Sequence, residues 1–367
     1  MKIGIIGTRG IPNRYGGFEQ FIEYVAPALV QRGHDVYVYN SSLHPYREST
    51  YKGVHVIRRF DPESKIGTAG QFIYDLNCIL DSRRRAYDVI LQLGYTSSSI
   101  WSFLYPRKSK LVTNMDGLEW KRSKYSRPVQ RFLKVAERWA VQSSDVLIAD
   151  SRGIQQYLLQ RYNKPSQFIA YGAIPFTNPD ESVLQNFSLE KYAYNLVIAR
   201  MEPENNIETI IRGHLQSNRK WKLVIIGGTG NQYGTKLKRT YASEWIHFAG
   251  PVYDMNLLNN LRYFSHYYFH GHSVGGTNPS LLEAMASGAL IVAHNNPFNK
   301  SVLQQDAFYF DSPADITAIL SSTNTKAAHA ALLAGNLRKI ENEYSWEHIT
   351  RSLEQVLIEA ASNGRRH

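Results

Sequence analysis

The residues with the clearest chemical meaning lie in the run His272-Ser273-Val274-Gly275-Gly276-Thr277-Asn278-Pro279-Ser280-Leu281-Leu282-Glu283. Asn278 followed by Pro279 reads as a helix start. An asparagine side chain accepts the orphan amides of a first turn, and proline suits the first helical position because its missing N–H would have no partner there. Backbone amides from Gly276 through Thr277 to Asn278, with Gly275 before them, then face outward at a dipole-positive end, where a diphosphate fits. Glu283, about one turn further in, is spaced to accept hydrogen bonds from the sugar hydroxyls of a nucleotide. Arg200 follows a strand-like run, and ligands of open parallel sheets bind at the carboxyl ends of strands.

Two segments of the first half add to this. Gly7-Thr8-Arg9-Gly10-Ile11-Pro12-Asn13-Arg14-Tyr15-Gly16-Gly17 joins a strand-like run to a helix-like one, and its glycines predict a close backbone approach to an anion at a helix start. A nicotinamide enzyme would need the G-x-G-x-x-G spacing and an acid ending its second strand. Here the spacing differs and that strand ends in Tyr39-Asn40-Ser41, so a dinucleotide is not expected; a Walker lysine motif is also absent. Asp116, between a strand and Gly117, stands at a carboxyl edge, with a turn-forming Asp-Gly as the plainer reading. Glu119, Trp120, Lys121 and Arg122 follow it. The chain contains no D-x-D, and His266, His270 and His272 lack neighbouring acids, so no metal site is expected.

The elements that must position these residues follow from hydrophobic patterning. In the first half, Lys2–Gly7, Asp35–Tyr39, Val54–Arg58, Asp88–Leu93, Lys110–Asn114 and Asp145–Ala149 read as strands. Phe18, Ile22, Val25 and Leu29 fall at helical spacing, and Gly33 closes that helix before the second strand. Repeated βαβ units predict a parallel, doubly wound α/β sheet. The polar, proline-containing stretch 173–191 reads as a linker. A second alternating series follows: Tyr194–Ala199, Lys222–Ile226, Ile246–Phe248, Tyr267–His270 and Leu290–Ala293. The expected organisation is a first domain over 1–172, a second over 192–344, and a C-terminal helix in 345–367 packing back towards the first.

Composition narrows the class. The chain has 367 residues, of which 43% are hydrophobic and 20% charged, enough for two cores and inconsistent with disorder. Cys78 is the only cysteine, which excludes a disulfide framework or a cysteine zinc site and favours a reducing compartment. The opening KIGIIG reads as a strand and not as a leader, and neither long uncharged stretch (Val89–Pro106, Tyr263–Leu282) suits a bilayer. The net charge of +11 resides wholly in residues 1–172, which hold 25 Lys+Arg against 14 Asp+Glu. Clusters at Arg83–Arg85, Arg107–Lys110 and Lys121–Arg127 carry much of it. An anionic membrane surface or a phosphorylated substrate suits such a face, and without a helix-turn-helix, zinc-finger, RRM or KH signature nucleic acid is not expected.

The segment ending Glu283-Ala284-Met285-Ala286-Ser287-Gly288 resembles the E-x7-E-A-M-A-x-G pattern of the retaining glycosyltransferases of family 4, with Gly275 where that pattern has its first glutamate. Ala199-Arg200-Met201-Glu202-Pro203-Glu204-Asn205-Asn206-Ile207 is similar to the family's G-R-L-x-x-E-K-G segment, with Asn205 in place of lysine. The opening GTRGIPNRYGGFE, which contributes Gly16, Gly17 and Phe18, and DGLEWKR at 116–122 resemble bacterial rhamnosyltransferases of that family, over nearly the whole chain. The resemblance implies a GT-B fold, two Rossmann-like doubly wound domains facing each other across a cleft. It implies a metal-independent, retaining transfer without cofactor, from a nucleoside-diphosphate sugar, dTDP-L-rhamnose, to a lipid-diphosphate-linked saccharide in bacterial surface polysaccharide synthesis. It implies that Glu283 binds the donor ribose, that Arg200 and Asn205 lie at the diphosphate, and that Tyr171 is near the donor; the base is expected at Val252 and Tyr253. It implies that Asp116 is the best protein group on the acceptor side, and that Gly16, Gly17, Phe18, Glu119, Trp120, Lys121 and Arg122 belong to that side, the last four shaping an acceptor pocket. The implied location is cytoplasmic, peripheral on the inner face of the membrane. A nucleotide-sugar epimerase or phosphorylase, another sugar donor, and a non-enzymatic nucleotide-sugar or nucleic-acid binding module are the competing readings.

Overall fold

The computed structural model describes residues 1–122, 125–217, 221–321 and 325–362. Chain contacts divide it into two compact units, Met1–Tyr171 with Trp346–His367, and Gly172–Ser345.

The first unit opens with β1 (Lys2–Ile6), α1 (Gly17–Gln31), β2 (Asp35–Ser41), β3 (Thr50–Tyr51) and β4 (Val54–Arg59). Then come α2 (Glu63–Ile66), α3 (Gly70–Ser82), β5 (Val89–Leu93) and β6 (Lys110–Asn114), with a 3-10 turn at Ser99–Leu104 between the last two. A 3-10 turn at Glu119–Lys121 leads to α4 (Arg127–Ser143), β7 (Val146–Ala149), α5 (Arg152–Tyr162) and β8 (Gln167–Phe168). The sheet order is β3-β4-β2-β1-β5-β6-β7-β8, parallel except for the short β3–β4 pair. The order reverses at β1, so right-handed crossovers put α1 on one face and α3 and α4 on the other. β5 is buried at all five positions, as a strand covered on both faces must be.

The second unit contains β9 (Tyr194–Ile198), α6 (Ile207–Gln216), β10 (Lys222–Ile226), α7 (Gln232–Tyr241), β11 (Ile246–Gly250) and α8 (Met255–Phe264). It continues with β12 (Tyr268–His270), α9 (Pro279–Ala286), β13 (Ile291–His294), α10 (Pro297–Leu303), β14 (Phe308–Phe310), α11 (Pro313–Ser321) and α12 (Ala330–Asn342). Its wholly parallel sheet runs β11-β10-β9-β12-β13-β14, with a core that includes Val197, Ile225, Phe269 and Val292. The stretch 173–191, expected as a linker, is packed on this unit. Its Phe176 amide donates to the Ala286 carbonyl at 2.9 Å, its Asp180 amide to Asn260 Oδ1 at 2.6 Å, and its Leu184 is buried. Polar composition concealed a segment whose polar groups are satisfied by the neighbouring helices α8 and α9.

The last helix, α13 (Trp346–Ser362), belongs to the first unit. Trp346 stacks on Tyr24 of α1 with ring centroids 4.4 Å apart, and Arg32 and His34 both reach Glu354 at 2.7 Å. Ile349, Leu353, Val356 and Leu357 form its buried stripe, as their spacing predicts.

Candidate functional site

In the second unit, the loops after β9, β10 and β12 leave adjacent strands at one carboxyl edge, because β9 pairs with both neighbours in parallel. Arg200 is in the first of these. Its side chain is 70% exposed, and the Glu202 carboxylate is 3.8 Å from its guanidinium. Asn205 is buried and turned inward, where its Nδ2 donates to the Arg200 carbonyl at 2.8 Å. It braces the loop that presents Arg200. The two loops are laced together: Ser273 donates its amide and its hydroxyl to the Glu204 carbonyl, and Asn206 Nδ2 donates to the Gly271 carbonyl. A Cβ on Gly271 would sit 2.0 Å from the Asn205 carbonyl oxygen, so only glycine permits this approach.

Asn278 caps α9 as its sequence position predicts, its Oδ1 accepting the Ser280 amide at 2.9 Å, with Pro279 in the first turn. Gly275 has φ +131° and open space around it. Backbone conformation therefore favours glycine where the family pattern has a glutamate. Gly276 is partly exposed and Thr277 is buried. Glu283 lies one turn into α9, its Oε2 held at 2.6 Å by Nη2 of Arg262 from α8. Arg262 is 1% exposed and is the largest fully buried side chain among the described residues. Its Nη2 also donates to Ser280 Oγ at 3.2 Å and its Nη1 to Asn259 Oδ1 at 2.9 Å, and its guanidinium lies 5.9 Å from the Tyr268 ring centroid. The orientation of Glu283 is thus set from beneath by a buried guanidinium, which makes Arg262 a positioning residue.

Sequence reading missed Arg262, because an arginine in an ordinary helix is expected in solvent. It also missed the loop Gly227–Asn231 after β10, although a glycine run just past a strand was the available signal. A Cβ on Gly227 would lie 2.1 Å from the Ala199 carbonyl, while Gly228 and Gly230 have no atom within 4 Å of theirs, leaving backbone open at this edge. Val252 and Tyr253 follow β11 at the end of the sheet, Tyr253 being 88% exposed. His270 and His272 stack with centroids 4.3 Å apart behind the loop, while His266 packs on Trp221. Burial, reinforced by His272 and Arg262, pushes the His270 imidazole well below its ordinary range and keeps it neutral.

In the first unit, the anion at the start of α1 is the chain's own. Gly16 is the N-cap, and Glu19, three residues on, turns back so that its Oε1 accepts the Arg9 amide at 2.8 Å. Burial pushes the Glu19 carboxyl up, against the amides of Arg9, Glu19 and Gly16 that hold it down. The expected phosphate seat at this loop is therefore corrected: Glu19 occupies it. Asn40 explains the missing acid of β2, since its side chain accepts the Ile11 amide at 3.0 Å and donates to the Ile11 carbonyl at 2.8 Å. Gly17 lies against Tyr171, and Phe18 against Gly94. Tyr171, expected near a donor, is a buried residue of this unit with its ring edge-on to Phe21. Burial first, then the charges of Asp116, Asp150, Glu19 and Glu119, pushes its hydroxyl well above the ordinary range.

Asp116 follows β6 in the left-handed region, φ +52°, with its amide on Asn114 Oδ1 at 3.0 Å. Glu119 and Arg122 pair with each other at 2.6 Å. Trp120 is half-buried and donates Nε1 to Glu137 Oε2 at 3.2 Å, which fixes its indole beneath Lys134, 4.4 Å from the ring centroid, with Lys121 at 5.5 Å. Glu137, buried in α4, also receives Tyr157 and Tyr162 hydroxyls at 2.7 Å and the Tyr95 hydroxyl at 3.3 Å. Ser123 and Lys124 of the same basic segment lie outside the described residues.

Residues 1–174 match a family described as a domain of unknown function, DUF1972, and residues 180–329 match the glycosyl transferases group 1 family. No curated protein sequence matches the chain significantly. Sucrose-phosphate synthase from Thermosynechococcus elongatus superimposes with a TM-score of 0.78 at 15% identity, over 99% of this chain and 100% of that one. HepE of Anabaena, solved in complex with UDP and glucose, superimposes with a TM-score of 0.74 at 16% identity, over 98% of this chain and 99% of that one. A glycosyltransferase from Rickettsia africae gives 0.71 at 13% identity, over 99% of each chain. Residues 180–329 are thus a glycosyl transferases group 1 domain, and the whole chain has the α/β fold of GT-B glycosyltransferases.

Proposed function

We propose that the protein transfers a sugar from a nucleoside diphosphate, with dTDP-L-rhamnose as donor, to a lipid-diphosphate-linked saccharide, retaining anomeric configuration. The observation that carries the reading is the edge of the second unit, where exposed Arg200, the capped start of α9 and the Arg262-anchored Glu283 converge from adjacent parallel strands. On this reading Glu283 accepts the ribose hydroxyls. The α9 amides and Arg200 take the diphosphate and stabilise the charge that builds as the glycosidic bond breaks. The acceptor hydroxyl attacks on the face the diphosphate leaves, and a donor phosphate oxygen takes its proton, so no protein nucleophile is required. Val252 and Tyr253 border the base. Asp116 and the 119–122 segment take the acceptor sugar, with the orientation of Trp120 held by Glu137. HepE of Anabaena has been solved in complex with UDP-glucose, which supports a nucleotide-sugar donor for a chain of the same fold. The rhamnosyl assignment rests on the GTRGIPNRYGGFE and DGLEWKR segments.

The test is a thermal-shift screen of dTDP-rhamnose, UDP-glucose, UDP-GlcNAc, GDP-mannose and NADH, followed by transfer assays on Glu283→Ala and Arg200→Ala. A midpoint raised by dTDP and dTDP-rhamnose is expected, since a ligand of the native state stabilises it. Loss of either donor contact should lower turnover by about 100-fold or more. A shift with another sugar nucleotide retains the transferase and discards rhamnose. Near-normal transfer by both variants overturns the site.

A further inference from the structure

α4 carries an unusual surface. Arg127, Arg131, Lys134 and Arg138 recur at spacings of four, three and four, which makes a single stripe along a helix, and all four are exposed. The only acid of the helix, Glu137, is buried beneath Trp120, Tyr157 and Tyr162 and contributes nothing to that face. Beside the stripe, Val135 is 44% exposed and Trp139 37% exposed. The 3-10 turn Ser99–Leu104, which packs against α4, adds Phe103 at 75% exposure, followed by exposed Arg107 and Lys108 with no acid between them. The opposite side of α4, through Leu133, Ala136, Ala140 and Val141, is buried in the unit. The helix is therefore anchored, and its outer face is positive along the middle with apolar side chains along the flank.

We propose that this face of α4 and the 99–104 turn docks on the surface of an anionic lipid bilayer. A polyanion such as nucleic acid would satisfy the stripe but leave Val135, Trp139 and Phe103 in water. A bilayer interface accommodates both, with headgroup phosphates against the bases and the acyl boundary against the apolar flank. Attachment is peripheral, because no helix among the described residues is long and apolar enough to cross a membrane. The proposal rests on the lipid-linked acceptor proposed above and deepens it. Lys134 of the stripe lies over the Trp120 ring, so docking α4 carries the 116–122 acceptor segment to headgroup level.

The purified full chain is tested by co-sedimentation with vesicles of phosphatidylcholine alone and of phosphatidylcholine with one-third phosphatidylglycerol. Binding to the anionic vesicles only, weakened by salt, is expected. Arg131→Gln with Arg138→Gln should lower the partition coefficient about 30-fold. The matched loss of two charges on the second unit, Lys238→Gln with Arg239→Gln on α7, should leave it unchanged. Brominated acyl chains should quench tryptophan fluorescence in the wild type and lose most of that quenching in Trp139→Phe. Equal binding to neutral vesicles, an unchanged partition in the Arg131/Arg138 variant, or tight oligonucleotide binding with no vesicle binding overturns the proposal. Because no donor or acceptor is present, failure here with the dTDP-rhamnose shift intact refutes the docking face alone. Absence of any donor shift with vesicle binding intact refutes the transferase reading alone.

Discussion

Asp75 offers a quantitative test of the first unit's interior. It lies in α3, fully enclosed, with Ser97 Oγ donating to its Oδ2 at 2.6 Å. Burial, with Asp61 adding to it and Ser97 opposing it, pushes the carboxyl from 3.8 up to about 7. The folded state therefore holds a proton that the unfolded chain has released. The stability this contributes is complete below pH 3.8 and is lost as pH rises to about 7. At about 1.4 kcal/mol per pH unit the whole interval is worth about 4 kcal/mol, and the part above pH 5 about 3 kcal/mol. Asp75→Asn is nearly isosteric with the protonated acid, keeps an acceptor for Ser97 and cannot ionise. Urea unfolding followed by tryptophan fluorescence, with Trp101 anchored next door on the Phe72 carbonyl, should be run at half-unit steps from pH 5 to 8. The expected result is a variant already more stable by about 1.5 kcal/mol at pH 5 and more stable by about 4 kcal/mol at pH 8. Parallel profiles for the two proteins would refute the reasoning, because they would mean that Asp75 ionises alike in the folded and unfolded states.

Further outcomes follow from the buried charges and the strained loop. Arg262→Met leaves Glu283 without its buried counter-ion and should cost about 3 kcal/mol of stability in denaturant unfolding; in donor titrations Arg262→Lys should weaken binding with the acceptor KM unchanged. Glu137→Leu strands three tyrosine hydroxyls and the Trp120 indole, so a loss of about 3 kcal/mol is expected together with a raised acceptor KM and an unchanged donor affinity. Gly275→Glu restores the acid of the family pattern at φ +131°, and should lower the thermal midpoint by the equivalent of about 1–3 kcal/mol without improving transfer; a gain in activity at unchanged stability would show that the loop tolerates the side chain.

Local rules were enough for some of this protein. Apolar runs bounded by turn residues located the central strands, with Lys110–Asn114 and Lys222–Ile226 matching residue for residue. The Asn278-Pro279 start of α9 was equally legible, because a cap is satisfied within its own first turn. β3, β8 and β14 were not expected, since pairs and triplets of residues carry no period. Tertiary structure decided what charged side chains do. Residue type places Arg262 and Glu137 in solvent; the fold buries both against partners from other elements, Glu283 and Ser280 for the arginine and tyrosine hydroxyls with the Trp120 indole for the glutamate. Glu19 shows the same limit: its spacing allowed a return to its own loop, but only the packed loop shows that the amides expected to meet a phosphate already meet a carboxylate. Sequence alone determined where strands, caps and net charge lie, since these depend on neighbours along the chain. Which charges orient a ligand group, which are locked inside and which remain on the surface depended on residues far apart in sequence, and therefore on the fold.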